Sequence, residues 1–153
     1  MDADYAVIGG GVVGLSLAWG LVKRGRRVLV LDGDDGSFRA SRGNFGLVWV
    51  QGKGDTCPEY ARLSRLSAAM WPQLADDLQE STGIDIQLEQ RGGLFFCLTE
   101  AELQARVQML ESMRRDQNGD YPFEVLDNAA LRQRVPEIGP TVAGATFGPL
   151  DGH

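Results

Sequence analysis

The sequence is poor in the residues that build disulfide frameworks, zinc sites and imidazole-based catalytic centres. It has two cysteines, Cys57 and Cys97, and one histidine, His153. The cysteines are far apart and lack a Cys-x-x-Cys spacing, so they read as separate core or surface thiols. No metal site is expected. His153 has no Ser, Cys or carboxylate constellation beside it in sequence and reads as a bystander, so no catalytic residue is assigned. Long apolar runs are also missing. Those present, such as Ala6-Val7-Ile8 and Val28-Leu29-Val30-Leu31, are strand-sized and far short of the roughly 18 residues of a membrane-spanning helix. Basic charge is in deficit, with 15 Lys+Arg against 21 Asp+Glu and a net charge of -6, which argues against a nucleic-acid partner. The one basic run, Lys23, Arg24, Arg26 and Arg27 around Gly25, suits a helix C-terminus, where cations complement the dipole. The start carries acid, Asp2 and Asp4, where a secretory signal would carry base. A cytoplasmic location is expected.

Proline is absent before Pro58, whereas 12 of the 20 glycines lie before residue 55. The first third is therefore expected to consist of tight backbone turns, and the rest of ordinary helices and strands. Residues 5–8 form a short apolar strand, residues 12–24 a helix and residues 27–32 a second strand, together one βαβ unit. In that helix Leu15, Ala18, Trp19 and Val22 recur at helical spacing and predict one apolar stripe against the sheet, and Gly25 is placed to end it in a left-handed conformation. A long loop, 33–55, follows, and loops of that length are usually functional.

A helix is expected from Thr56, where Thr56-Cys57-Pro58-Glu59 has capping-box spacing, with Leu63, Leu66, Met70, Leu74 and Leu78 as its apolar face. Pro72 is expected to kink or divide it. Residues 84–89 alternate apolar and polar and are expected to pair antiparallel with residues 92–98. Thr99-Glu100-Ala101-Glu102 repeats the capping box before a helix to Arg115 with Leu103, Val107 and Leu110 on one face. A strand over 123–126, an N-cap at Asp127, a short helix over 128–134 ended by Pro136 and an extended tail over 141–153 complete the pattern. Phe95, Phe96 and the three tryptophans read as core or sheet packing.

The chemistry lies in Gly9-Gly10-Gly11-Val12-Val13-Gly14. Gly9, Gly11 and Gly14 satisfy G-x-G-x-x-G: the first allows the tight turn out of the strand, the second a close approach of backbone to a pyrophosphate, the third close packing of helix on strand. The N–H groups and the positive dipole end of the helix then meet the phosphates. Asp32 ends the next strand eighteen residues after Gly14, close to the roughly 20 of the dinucleotide fingerprint, and is placed to accept hydrogen bonds from adenosine ribose hydroxyls. Its charge repels a 2′-phosphate, which disfavours NADP. NAD and FAD both use such a unit. The near-terminal position of the motif, and a long Gly/Arg loop after Asp32 in place of another βα repeat, favour FAD.

On residues 5–32, on Ala40-Ser41-Arg42-Gly43-Asn44-Phe45-Gly46 and on the tail 126–152, the sequence resembles the glutathione-reductase-like flavoproteins, and within them the FAD-dependent amine and D-amino-acid oxidase family. The resemblance implies an α/β fold: a Rossmann-like, three-layer FAD-binding domain whose N-terminal part is residues 1–83, with an antiparallel substrate domain beginning over 84–153. It implies that Ser41 and Arg42 contact the phosphates or ribityl chain, and that Asn44, Phe45 and Gly46 lie by the flavin. FAD is expected to be held non-covalently, since the loop contains neither His nor Cys. The implied activity is oxidation of a C–N bond in a small amine or amino acid, by hydride transfer to flavin and hydrolysis of the imine. A non-catalytic nucleotide-binding subunit and an NAD-dependent dehydrogenase are the alternatives. The chain is expected to be an N-terminal fragment, inactive alone, whose exposed sheet edges favour a homo-oligomer or a sister subunit.

Overall fold

The computed structural model describes residues 2–33 and 40–153. Residues 34–39 of the loop after the second strand lie outside the described residues. The chain forms β1 (Tyr5–Ile8), α1 (Val12–Val22), β2 (Val28–Leu31), α2 (Pro58–Thr82), β3 (Gly93–Cys97), α3 (Glu100–Asp116), β4 (Glu124–Asp127), α4 (Asn128–Arg134) and β5 (Gly144–Gly148). It divides into two compact units, Met1–Phe45 and Gly46–His153.

In the first unit β1 and β2 pair in parallel with Tyr5 opposite Val28 and Ile8 opposite Leu31, as a βαβ unit requires. Asp4 and Arg27 pin the start of this pairing. The Arg27 backbone N–H donates to Asp4 Oδ2 at 2.9 Å and its guanidinium to Oδ1 at 2.9 Å. That guanidinium holds the Asp4 carboxyl below its ordinary pKa. The helix α1 ends as expected, with Gly25 left-handed at φ 72. Its expected stripe is only partly used: Ala18 is buried, but Leu15 and Val22 are 52% and 55% exposed. The helix carries apolar residues on every side, the pattern of one covered on more than one face, and a two-stranded sheet covers only one.

The second unit opens with α2, whose first residue is Pro58. Pro suits this place because its missing N–H is not needed there. The expected capping box at Thr56 is not formed: Cys57 is the N-cap and makes no side-chain cap bond. Pro72 does not divide the helix, which runs unbroken over 25 residues. The packed face is also shifted. Ala61 and Ala68 are buried, whereas Leu63, Leu66 and Met70 are exposed, because the small residues let α2 sit close to α3 and to the 48–50 segment. Ala61 joins Leu110, Met113 and Tyr121 in one core cluster, and Ala68 joins Val48 and Val50 in another.

In α3 the expected capping box is present in full. The Glu102 N–H donates to Thr99 Oγ1 at 3.2 Å and the Thr99 N–H to Glu102 Oε2 at 3.3 Å, an arrangement that stabilises by about 1 kcal/mol. Asp127 caps α4 through the Ala130 N–H at 2.8 Å. The three-stranded sheet has the order β3-β5-β4, both pairs antiparallel. The expected pairing of residues 84–89 with 92–98 does not occur. The segment after Gly83 is irregular, with Gln87 at φ 56 and its N–H turned onto Asp85 Oδ1 at 2.8 Å. A left-handed residue interrupts the alternation that a strand needs. The partner of β3 is instead β5, from the tail expected only to be extended. Leu126, Leu131 and Ala145 form the core under this sheet. Phe95 and Phe96 are partly exposed, Phe95 lying under the Arg106 guanidinium at 4.1 Å. Both cysteines are free, Cys57 exposed and Cys97 buried. Among the described residues no helix is long and apolar enough to cross a membrane.

Candidate cofactor site

The glycine turn is built from the end of β1. The Gly9 N–H donates to Leu31 O at 2.8 Å, extending the parallel pairing by one residue, and Gly9 then turns at φ +107. Side chains rarely adopt that conformation, so the position is a glycine for backbone reasons. Gly14 is a glycine for space: a Cβ there would stand 2.0 Å from the Gly9 carbonyl oxygen, so α1 could not lie this close to the turn. Among the described residues a Cβ on Gly11 would meet only the Ser41 hydroxyl, at 3.2 Å. This is the pattern expected of a turn that packs tightly on one side and admits a ligand on the other.

Asp32 is brought to the turn from the end of β2. Its Oδ2 accepts the Gly10 N–H at 2.7 Å and its Oδ1 the Gly33 N–H at 2.7 Å. The motif does not single out Gly10, yet a Cβ on it would come within 2.3 Å of Asp32 Oδ2. Its signal in the sequence is the glycine in the first x position, which leaves room for the carboxylate of the fingerprint's own acid.

The N-terminus of α1 carries no acidic residue in its first turn and no N-cap side chain on Gly11. Its first N–H, that of Val12, donates to Ser41 Oγ at 3.0 Å. Ser41 is thus a loop residue placed against the glycine turn, and its hydroxyl oxygen occupies a donor direction that an anionic oxygen can also use. Arg42, Asn44, Phe45 and Gly46 lie on an exposed stretch of the same loop, with Phe45 81% exposed and Gly46 left-handed at φ +75. A helix N-terminus free of acid with its first N–H on the Ser41 hydroxyl, the Gly11 backbone and a carboxylate at the end of β2 are the donor and acceptor set that the diphosphate and ribose of FAD require. The residues present fit that group. His153 is engaged through its backbone, exchanging N–H···O bonds of 2.9 and 2.8 Å with Glu89. Among the described residues no group of three His, Cys, Asp or Glu could hold a metal.

The site and fold define a dinucleotide-binding flavoprotein. Residues 4–153 match the DAO family of FAD dependent oxidoreductases, and the chain belongs to that family, whose cofactor is FAD. It is 50% identical over 153 residues to an opine oxidase subunit of Agrobacterium tumefaciens (strain Ach5), covering 99% of this chain and 41% of that protein. It is 35% identical over 151 residues to glycine oxidase of Geobacillus kaustophilus (strain HTA426), covering 98% of this chain and 39% of that protein. The crystal structure of glycine oxidase from Geobacillus kaustophilus superposes with a TM-score of 0.82 at 31% identity, covering 99% of this chain and 40% of that one. The chain therefore spans about two fifths of the length of these relatives. Family membership selects FAD over the pyridine-nucleotide alternative.

Proposed function

We propose that the protein carrying this chain is a cytoplasmic oxidoreductase that oxidises the C–N bond of an opine or a small amino acid. On this reading residues 1–83 belong to its FAD-binding domain and residues 84–153 begin its substrate domain. The observation that carries the reading is the meeting of Asp32 with the glycine turn at the acid-free N-terminus of α1. Gly9, Gly11 and Gly14 admit the pyrophosphate, and Asp32 accepts the ribose hydroxyls. Ser41 and Arg42 attend the phosphates or the ribityl chain, and Asn44, Phe45 and Gly46 lie along the ring. When bound, FAD supplies the hydride acceptor for a substrate C–H bond; loss of the amine proton then leaves an imine that water hydrolyses. The chain's own residues orient the cofactor and exclude water from one side of it. Similarity to the opine oxidase protein supports a secondary amine as donor and a sister subunit as partner; similarity to glycine oxidase supports a primary amine.

The test uses the full-length polypeptide, purified with FAD and mixed without oxygen with an opine, glycine, sarcosine, proline or D-alanine. Bleaching of the flavin absorption by at least one of them is expected. No bleaching by any, with rapid bleaching by NADH, would contradict the proposal. Because the loop 40–46 contains neither His nor Cys, acid precipitation is expected to release all flavin, and flavin fluorescence left on the denatured chain would contradict non-covalent binding.

A further inference from the structure

Asp151 is fully buried, and among the described residues it makes no ion pair. A buried carboxylate that forms no ion pair is costly unless several donors meet it, although the Arg106 guanidinium lies close enough for the two charges to attract. Here three donors meet it. Oδ1 accepts the Val50 N–H at 2.6 Å and the Gln51 N–H at 3.1 Å, and Oδ2 accepts Gln51 Nε2 at 3.0 Å. The other side of the same segment is held as tightly. The Tyr121 hydroxyl donates to Val50 O at 3.0 Å and accepts the Gly52 N–H at 3.0 Å. The Thr146 hydroxyl donates to Gln51 Oε1, and Gln51 Nε2 reaches Gly93 O at 3.2 Å. Val48 and Gly152 exchange backbone bonds of 2.9 and 2.8 Å.

Four of the five residues from Val48 to Gly52 are thus hydrogen-bonded to Gly93 of β3, Thr146 of β5, Tyr121 or the 151–152 turn, with the Asp151 carboxylate at the centre. This lock begins two residues after Gly46, the last residue of the loop assigned above to the flavin. Each residue spans at most about 3.6 Å, so Gly46 lies within roughly 7 Å along the chain of this hydrogen-bonded segment. We propose that Asp151 is a positioning residue for the cofactor loop, fixing through Val50 and Gln51 the segment from which the chain leads back through Leu47 and Gly46 into that loop. The inference rests on the FAD reading above. A carboxylate serves here where an amide would not, because every hydrogen directed at it comes from an N–H group. An Asn must turn its own N–H₂ toward one of those donors, which loosens the segment without emptying the core.

The test compares FAD with ADP, which shares the adenosine and pyrophosphate but lacks the ring, on the full-length polypeptide and its Asp151→Asn variant. FAD is expected to bind the variant about tenfold more weakly or worse, with an altered visible circular dichroism of the bound flavin, while ADP affinity is unchanged. Equal weakening of FAD and ADP would overturn the proposal by reducing Asp151 to a structural role. Unchanged FAD affinity and an unchanged spectrum would overturn it outright. If Asp151→Asn does not fold, Thr146→Val, which removes one hydroxyl contact to Gln51 at constant shape, decides by the same two ligands and the same spectrum. Failure of the unaltered protein to bind FAD would instead bring down the FAD reading, and the inference with it.

Discussion

The Asp32 carboxylate reaches from the end of β2 to the Gly10 N–H, 2.7 Å away, while its second oxygen takes the Gly33 N–H. One side chain thereby ties the second strand to the glycine turn. The fit depends on glycine at position 10, since a Cβ there would lie 2.3 Å from Oδ2. A site of this kind is held by backbone shape as much as by side chains, and its predictions concern both.

Gly14→Ala places a methyl carbon where the Gly9 carbonyl oxygen would be 2.0 Å away. Overpacking of this kind costs about 1–3 kcal/mol. Thermal unfolding should shift down accordingly and FAD affinity should fall with it. Gly25→Ala, at a left-handed position with open space, should lower stability modestly and leave FAD affinity unchanged.

Burial pushes the Tyr121 phenol above its ordinary value of 10.0. The phenol is neutral in both states below that value. As pH rises past it, the unfolded chain ionises first, so this contribution to stability is present below pH 10 and is lost as pH climbs through the raised folded value. Tyr121→Phe should flatten the alkaline fall in stability. At neutral pH it should cost about 1–3 kcal/mol, because the buried Val50 carbonyl and Gly52 N–H lose their shared partner. Urea unfolding at several pH values measures both effects.

Burial likewise raises the Cys97 thiol, whereas Cys57 is exposed. Only the thiolate reacts. A thiol reagent at neutral pH should modify Cys57 quickly in the native protein and Cys97 only after denaturation. Mass spectrometry of the labelled peptides distinguishes this from equal labelling of both.

The glycine turn, Asp32 and the caps at Thr99 and Asp127 were legible in the sequence because each is a local rule: a short spacing in which backbone geometry and one side chain decide the outcome. The packed faces were less legible. In α2 the leucine stripe suggested the core, but Ala61 and Ala68 make it, because close helix packing favours small residues and the chain alone does not say which face a partner covers. Residues 84–89 alternate as a strand does, yet Asp85 and Gln87 form a turn that ends the pattern, and β3 found its neighbour in β5, fifty residues on. Gly10, Ser41 and Asp151 share one cause of obscurity. Their roles depend on contacts 22, 29 and 100 residues away, which no local spacing encodes.

The most direct measurement is a titration of the protein with FAD, followed by protein and flavin fluorescence, beside its Asp32→Ala variant. The unaltered protein should bind FAD and discriminate against NADP. The variant should bind more weakly by about 1–3 kcal/mol, the cost of leaving charge-assisted ribose hydrogen bonds unmade. An Asp32→Ala protein with the same FAD dissociation constant as the unaltered chain would show that the glycine turn and the end of β2 are not where the cofactor lies.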